Sequence, residues 1–146
     1  MRIAIYSAFF SPTSITYIKT VIKYLGANGH HFLLVDRMKK YLGQEGEKYT
    51  YFTDNVTLEE NVDFLFSVGG DGTLLRSISV IRDTKIPILG INAGRLGFLT
   101  SVKRDTLKEG LDLFFQGKRE TILSKFFMRH MKNFDFFQNF LKNQLS

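Results

Sequence analysis

Val62-Asp63-Phe64-Leu65-Phe66-Ser67-Val68-Gly69-Gly70-Asp71-Gly72-Thr73-Leu74-Leu75 is the stretch whose reading decides the fold. Residues 62–68 run almost continuously apolar into Gly69, as a strand covered on both faces does. Leu74, Leu75, Ile78 and Ile81 then recur at helical spacing and predict a helix ending near Asp83. Ile86-Pro87-Ile88-Leu89-Gly90-Ile91 reads as the next strand, followed by a glycine-rich turn over 92–97. Strand, glycine turn, helix and strand form one β-α-β unit, whose two strands lie parallel.

The pattern continues upstream. Arg2-Ile3-Ala4-Ile5-Tyr6 predicts a first strand, with a loop through Pro12. Ile15, Ile18, Val21, Ile22 and Leu25 predict an amphipathic helix over 14–27, which Asn28-Gly29 terminates. His31-Phe32-Leu33-Leu34-Val35 is a second apolar strand. The polar stretch 36–55, broken by Gly43 and Gly46, is expected to be a variable loop with one short helix. Thr57 with Glu60, and Thr106 with Glu109, have capping-box spacing. Leu107, Leu111, Phe114 and Phe115 are the expected buried face of the helix that starts after Thr106. Alternating strands and helices imply an α/β fold in three layers, a parallel sheet flanked by helices.

The glycine loop carries the chemistry. Glycines at 69, 70 and 72 can take positive φ and leave no Cβ between backbone and ligand. Backbone N–H groups and the following helix N-terminus then make an anion site. Asp71 sits oddly beside a bound phosphate unless it accepts a proton from an attacking hydroxyl or meets a cation. The plain alternative is a tight strand-to-helix turn in which Asp71 caps the helix. The second loop, Asn92-Ala93-Gly94-Arg95-Leu96-Gly97-Phe98, also follows a strand, where open α/β sheets bind ligands. Asn92 offers an amide, and Arg95 or Arg76 can pair with phosphate; for both arginines a solvated surface role is the alternative.

Composition narrows the classes. The formal charge of +6 divides evenly, +3 in residues 1–123 and +3 in 124–146, and so does not demand a nucleic-acid partner. There are no cysteines and no apolar run long enough for a membrane span, and Met1-Arg2-Ile3 is expected to lead straight into a strand rather than to open a secretory leader. The expected setting is cytoplasmic, without membrane or nucleic acid. His30, His31 and His130 lack the spacing of metal ligands and are expected at the surface or at helix ends, so no residue is assigned to a metal.

At the two loops the sequence resembles a family. Val68-Gly69-Gly70-Asp71-Gly72-Thr73-Leu74-Leu75, with Gly90-Ile91-Asn92-Ala93-Gly94-Arg95-Leu96-Gly97-Phe98-Leu99, is similar to the two signature segments of NAD kinases. The first is shared with diacylglycerol- and sphingosine-type lipid kinases, with a close variant in phosphofructokinases; the second is far more selective. The resemblance implies a Rossmann-like domain of the phosphofructokinase/NAD kinase type. It implies transfer of the γ-phosphate of ATP, or of polyphosphate, to the 2′-hydroxyl of the adenosine ribose of NAD, with Mg²⁺ or another divalent cation. It implies that Asp71 is the proton acceptor and Gly72 its NAD-contacting neighbour. Arg76 matches the basic residue five positions on, and Asn92 and Phe98 line the pocket. Gly69, Gly70, Thr73, Gly94 and Arg95 complete the expected binding set.

NAD kinases continue into a second, β-rich domain and work as oligomers, so a homo-oligomer is expected of a full-length form. Here no Asn-Glu pair follows the glycine loops, and residues 1–123 are read as the N-terminal domain without that second domain. The segment from Arg119 to Leu123 would begin the strand leading onward, and the chain alone is expected to have little activity. Residues 124–146 hold six phenylalanines and read either as a docking helix or as a non-native or disordered end. A lipid kinase module, or a non-catalytic nucleotide-binding or dimerising fragment, are the alternative readings.

Overall fold

The computed structural model describes residues 1–53, 58, 61–82, 84, 86–93 and 107–118. Strands β1 (Arg2–Tyr6), β2 (His31–Val35), β3 (Thr50–Phe52), β4 (Phe64–Gly69) and β5 (Ile88–Asn92) form one sheet in the order β3-β2-β1-β4-β5. Every neighbouring pair is parallel. Helix α1 (Pro12–Ala27) connects β1 to β2, α2 (Asp71–Ile81) connects β4 to β5, and α3 (Leu107–Phe115) follows. The β1-to-β2 and β4-to-β5 crossovers run in opposite directions along the sheet. Right-handed crossovers therefore place α1 and α2 on opposite faces. The strand order reverses between β1 and β4, the position where open α/β sheets form their ligand crevice.

Local chemistry explains the boundaries. Helix α1 starts two residues earlier than its hydrophobic periodicity indicates, because Ser11 caps it and Pro12 occupies the first helical position. The Ser14 N–H donates to Ser11 Oγ at 3.1 Å, and the Ser11 N–H donates to Ser14 Oγ at 2.9 Å. The helix ends as expected at Asn28-Gly29, with Gly29 at φ 70°. The Gly29 and His30 N–H groups return to the carbonyls of Gly26 and Leu25, a Schellman closure.

The stretch 36–55 corrects the sequence reading. In place of a variable loop with one helix, it holds two 3₁₀ helices (Asp36–Tyr41 and Gly43–Lys48) and the edge strand β3. Strand β4 begins at Phe64 rather than Val62, and β5 runs from Ile88 to Asn92 rather than from Ile86. Helix α2 begins at Asp71 and ends at Ile81. Thr57, Glu60, Asp83 and Thr106 lie outside the described residues, as do 119–146 with the expected onward strand and the phenylalanine-rich tail.

One face of the sheet is closed by aromatic packing. Phe114 of α3 meets Phe64 and Phe66 edge-on, with centroids 4.8 and 5.2 Å apart. Leu107 and Leu111 are buried with it, whereas Phe115 is only half-buried and stacks on Tyr24 and His30. Tyr24 Oη donates to Asp112 Oδ1 at 2.6 Å, tying α1 to α3.

That bond predicts a pH dependence. Burial, then the Asp112 hydrogen bond, push the Tyr24 hydroxyl from 10.0 up to about 12. The folded chain thus holds this proton more tightly than the unfolded chain. Its contribution to stability is complete below pH 10.0 and is lost as pH rises toward 12. Asp112 acts at the opposite end. Hydrogen bonds from Lys108 and Tyr24 lower its pKa from 3.8, so its contribution is present above that pH and is lost as acid protonates it. Urea midpoints measured against pH should show a steeper alkaline fall for the wild type than for Tyr24→Phe. Superimposable alkaline limbs would rule the coupling out.

Candidate functional site

Strand β4 ends at Gly69 and α2 begins two residues later, leaving Gly70 as the N-cap. No side chain caps the helix, and Asp71 is its first helical residue. The alternative in which Asp71 serves as the helix cap is therefore not realised. A carboxylate at this position lies beside the positive end of the helix dipole.

The three glycines do different things. Only Gly69 has positive φ, at 158°, so the expectation of positive φ at 70 and 72 is not met. Gly69 is required for another reason: the buried Thr73 folds back over it. A Cβ on Gly69 would stand 2.5 Å from Thr73 Oγ1 and 2.8 Å from Thr73 Cβ. Gly70 and Gly72 face open space, with nothing within 4 Å of the place a Cβ would occupy. They leave room for a ligand to approach the backbone closely. Gly69→Ala is expected to cost about 1–3 kcal/mol through overpacking. In a Thr73→Gly background the same change should cost distinctly less, because the colliding side chain is gone and only the strain of a Cβ at φ 158° remains. Chemical unfolding of the four proteins tests this, and equal losses in both backgrounds would refute it.

The first two residues of the second loop, Asn92 and Ala93, lie directly beside the first loop. Gly69 is in register with Asn92 across β4 and β5, and the Ala93 N–H donates to the Gly69 carbonyl at 2.9 Å. Asn92 is buried at the strand end. Gly69, Gly70, Asp71, Gly72, Thr73 and Asn92 are thus brought together at the carboxyl edge of the sheet. Gly94, Arg95 and Phe98 lie outside the described residues. Arg76 is exposed on α2, with its guanidinium carbon 4.9 Å from the centroid of the Phe9 ring.

Phe9 escaped the sequence reading. It sits in the β1–α1 loop, across the crevice from the glycine turn. A phenylalanine in an unpatterned loop offers no periodic signal. Arg37 also went unread: its two Nη groups donate to the Ala8 and Ser7 carbonyls at 3.0 and 3.2 Å, fixing that loop. His30 packs on Phe115 with centroids 3.9 Å apart, and burial lowers its pKa; His31 is exposed. Among the described residues no three His, Cys, Asp or Glu side chains are grouped to hold a metal, and no helix is long and apolar enough to cross a membrane.

A parallel sheet with a glycine turn at its carboxyl edge, where the strand order reverses, defines an open α/β domain of the nucleotide-site class. The sequence model of the ATP-NAD kinase N-terminal domain matches residues 4–119, and the chain belongs to the NAD kinase family. It is 33% identical to a NAD kinase of Flavobacterium psychrophilum over 131 residues, covering 85% of this chain and 45% of that protein. It is 34% identical to that of Flavobacterium johnsoniae over 119 residues, covering 80% and 39%, and 36% identical to that of Cytophaga hutchinsonii over 121 residues, covering 80% and 41%. The chain thus spans less than half the length of these relatives. Its fold is like that of yeast NADH kinase, solved in complex with NADH, with a TM-score of 0.60, 20% identity and coverage of 77% of this chain and 37% of that one.

Proposed function

We propose that this chain supplies the phosphoryl-transfer half of a NAD kinase site, acting on the adenosine ribose 2′-hydroxyl of NAD with ATP or polyphosphate as donor. The observation that carries this reading is the position of Asp71. Its carboxylate opens a helix at the switch-point edge, flanked by two glycines with open space beside them and by the strand end bearing Asn92. Such a group suits a hydroxyl about to be deprotonated better than it suits phosphate binding alone.

In this mechanism Asp71 accepts the proton of the 2′-hydroxyl as the ribose oxygen bonds to the γ-phosphorus. The bond from that phosphorus to the bridging oxygen of ADP breaks, and ADP leaves. Backbone N–H groups of residues 70–73 at the start of α2 face the charge on the transferred group. Asn92 offers its amide to hydroxyl or phosphate oxygens, and Arg76 pairs with phosphate. Gly94, Arg95 and Phe98 stand as further binding candidates on their motif positions. A divalent cation entering with the nucleotide phosphates would neutralise their charge when bound, while Asp71 takes the proton. A cytoplasmic setting and assembly of copies into an oligomer belong to the same reading.

The test uses a chimera in which residues 4–118 replace the matching segment of the Flavobacterium johnsoniae relative. Supplied with ATP and Mg²⁺, it should form NADP from NAD and leave diacylglycerol unphosphorylated. A folded chimera that phosphorylates the lipid, or neither acceptor, would overturn the proposal.

A further inference from the structure

Phe9 is 58% exposed, an unusual state for a side chain whose surroundings are so firmly built. Its own carbonyl accepts from Ser7 Oγ at 3.0 Å and from Ser14 Oγ at 3.2 Å. The two preceding carbonyls are held by Arg37. Four hydrogen bonds therefore fix the backbone that turns this ring outward. Ser7 and Ser14 are themselves buried, so the arrangement is anchored in the body of the domain.

The ring is not idle. Helical side chains lean toward the N-terminus of their helix, which for α2 means toward the carboxyl edge of the sheet. Arg76 follows that direction, and its guanidinium lies over the Phe9 ring. Phe9 follows β1 and Arg76 follows β4, and these strands are neighbours, with Tyr6 in register with Ser67. The pair therefore bridges the two sides of the crevice at the point where strand order reverses. A guanidinium is a strong partner for phosphate, and a ring face restricts the many rotamers of a free arginine without neutralising its charge.

We propose that Phe9 is a positioning residue, its ring holding the Arg76 guanidinium across the β1–β4 crevice where it meets a phosphate of the bound nucleotide. The inference rests on the nucleotide reading above and adds a residue that no signature segment contains. Phe9 touches no reacting atom; it acts through Arg76.

The experiment titrates the full chain with NAD and, separately, with ATP and Mg²⁺, in wild type, Phe9→Ala, Phe9→Tyr, Arg76→Ala and the Phe9→Ala/Arg76→Ala double variant. Phe9→Ala should weaken binding of at least one probe about three- to fivefold. Phe9→Tyr should restore it, and Phe9→Ala should add nothing once Arg76 is gone. In ¹⁵N-labelled chain without ligand, the Arg76 Nε–H resonance should carry a ring-current shift that Phe9→Ala abolishes. Binding that Phe9→Ala leaves unchanged, multiplicative losses in the double variant, or an Arg76 resonance indifferent to Phe9 would each overturn the proposal while leaving the nucleotide reading intact. Failure of the wild-type chain to bind either probe would overturn both.

Discussion

Asp71→Asn should reduce NADP formation by the chimera by about two to four orders of magnitude, the range associated with loss of a positioned general base. The substitution keeps the size of the side chain and removes its ability to take the proton. Its structural cost should be small. Asp71 is the first helical residue rather than the cap, and the interaction of its carboxylate with the helix dipole accounts for up to about 1 kcal/mol. Turnover measured alongside the urea midpoint separates the two effects. A variant with the wild-type rate would remove Asp71 from the mechanism. One with lost activity and an equally large loss of stability would show that the carboxylate is structural.

Phe66→Ala is expected to destabilise the domain by about 3–5 kcal/mol, which approaches the whole stability of many small domains. Phe66 is fully buried on β4, with neighbours β1 and β5 on either side. Its ring meets Phe114 edge-on and lies 6.3 Å from that of Phe115, so truncation opens a cavity beneath α3. Phe64→Ala, at a half-buried position two residues earlier, should cost distinctly less. The ordering, read from unfolding midpoints, is the test. Equal losses at the two positions would mean that α3 does not seat on the sheet as described. The strand carrying Phe66 runs directly into Gly69, so this aromatic layer also fixes the height of the glycine turn.

Much of this was legible in the chain because the signals are local. Five consecutive residues from Arg2 and five from His31 announce β1 and β2, and both strands span those residues. Asn28-Gly29 ends α1 through bonds to carbonyls within one turn. The boundaries that shifted did so for equally local reasons that periodicity does not weigh, such as the Ser11 cap and Pro12. Strand β3 was not legible: Thr50-Tyr51-Phe52 is short, lies at the sheet edge and is extended by pairing with Leu33, Leu34 and Val35. A three-residue edge strand has no pattern of its own to read.

The glycine turn divides in the same way. Its sequence alone determined that a strand passes into a helix through a flexible, phosphate-friendly backbone with one carboxylate, because those properties belong to the residues themselves. Tertiary structure decided that Gly69 makes room for Thr73 while Gly70 and Gly72 stay open. It also decided that Asn92 lies beside Gly69, and that Phe9 reaches Arg76 across the crevice. Each of these depends on which strands are neighbours and on which face each helix packs. Pairing energy between segments remote in the chain makes that choice, and no single segment carries it.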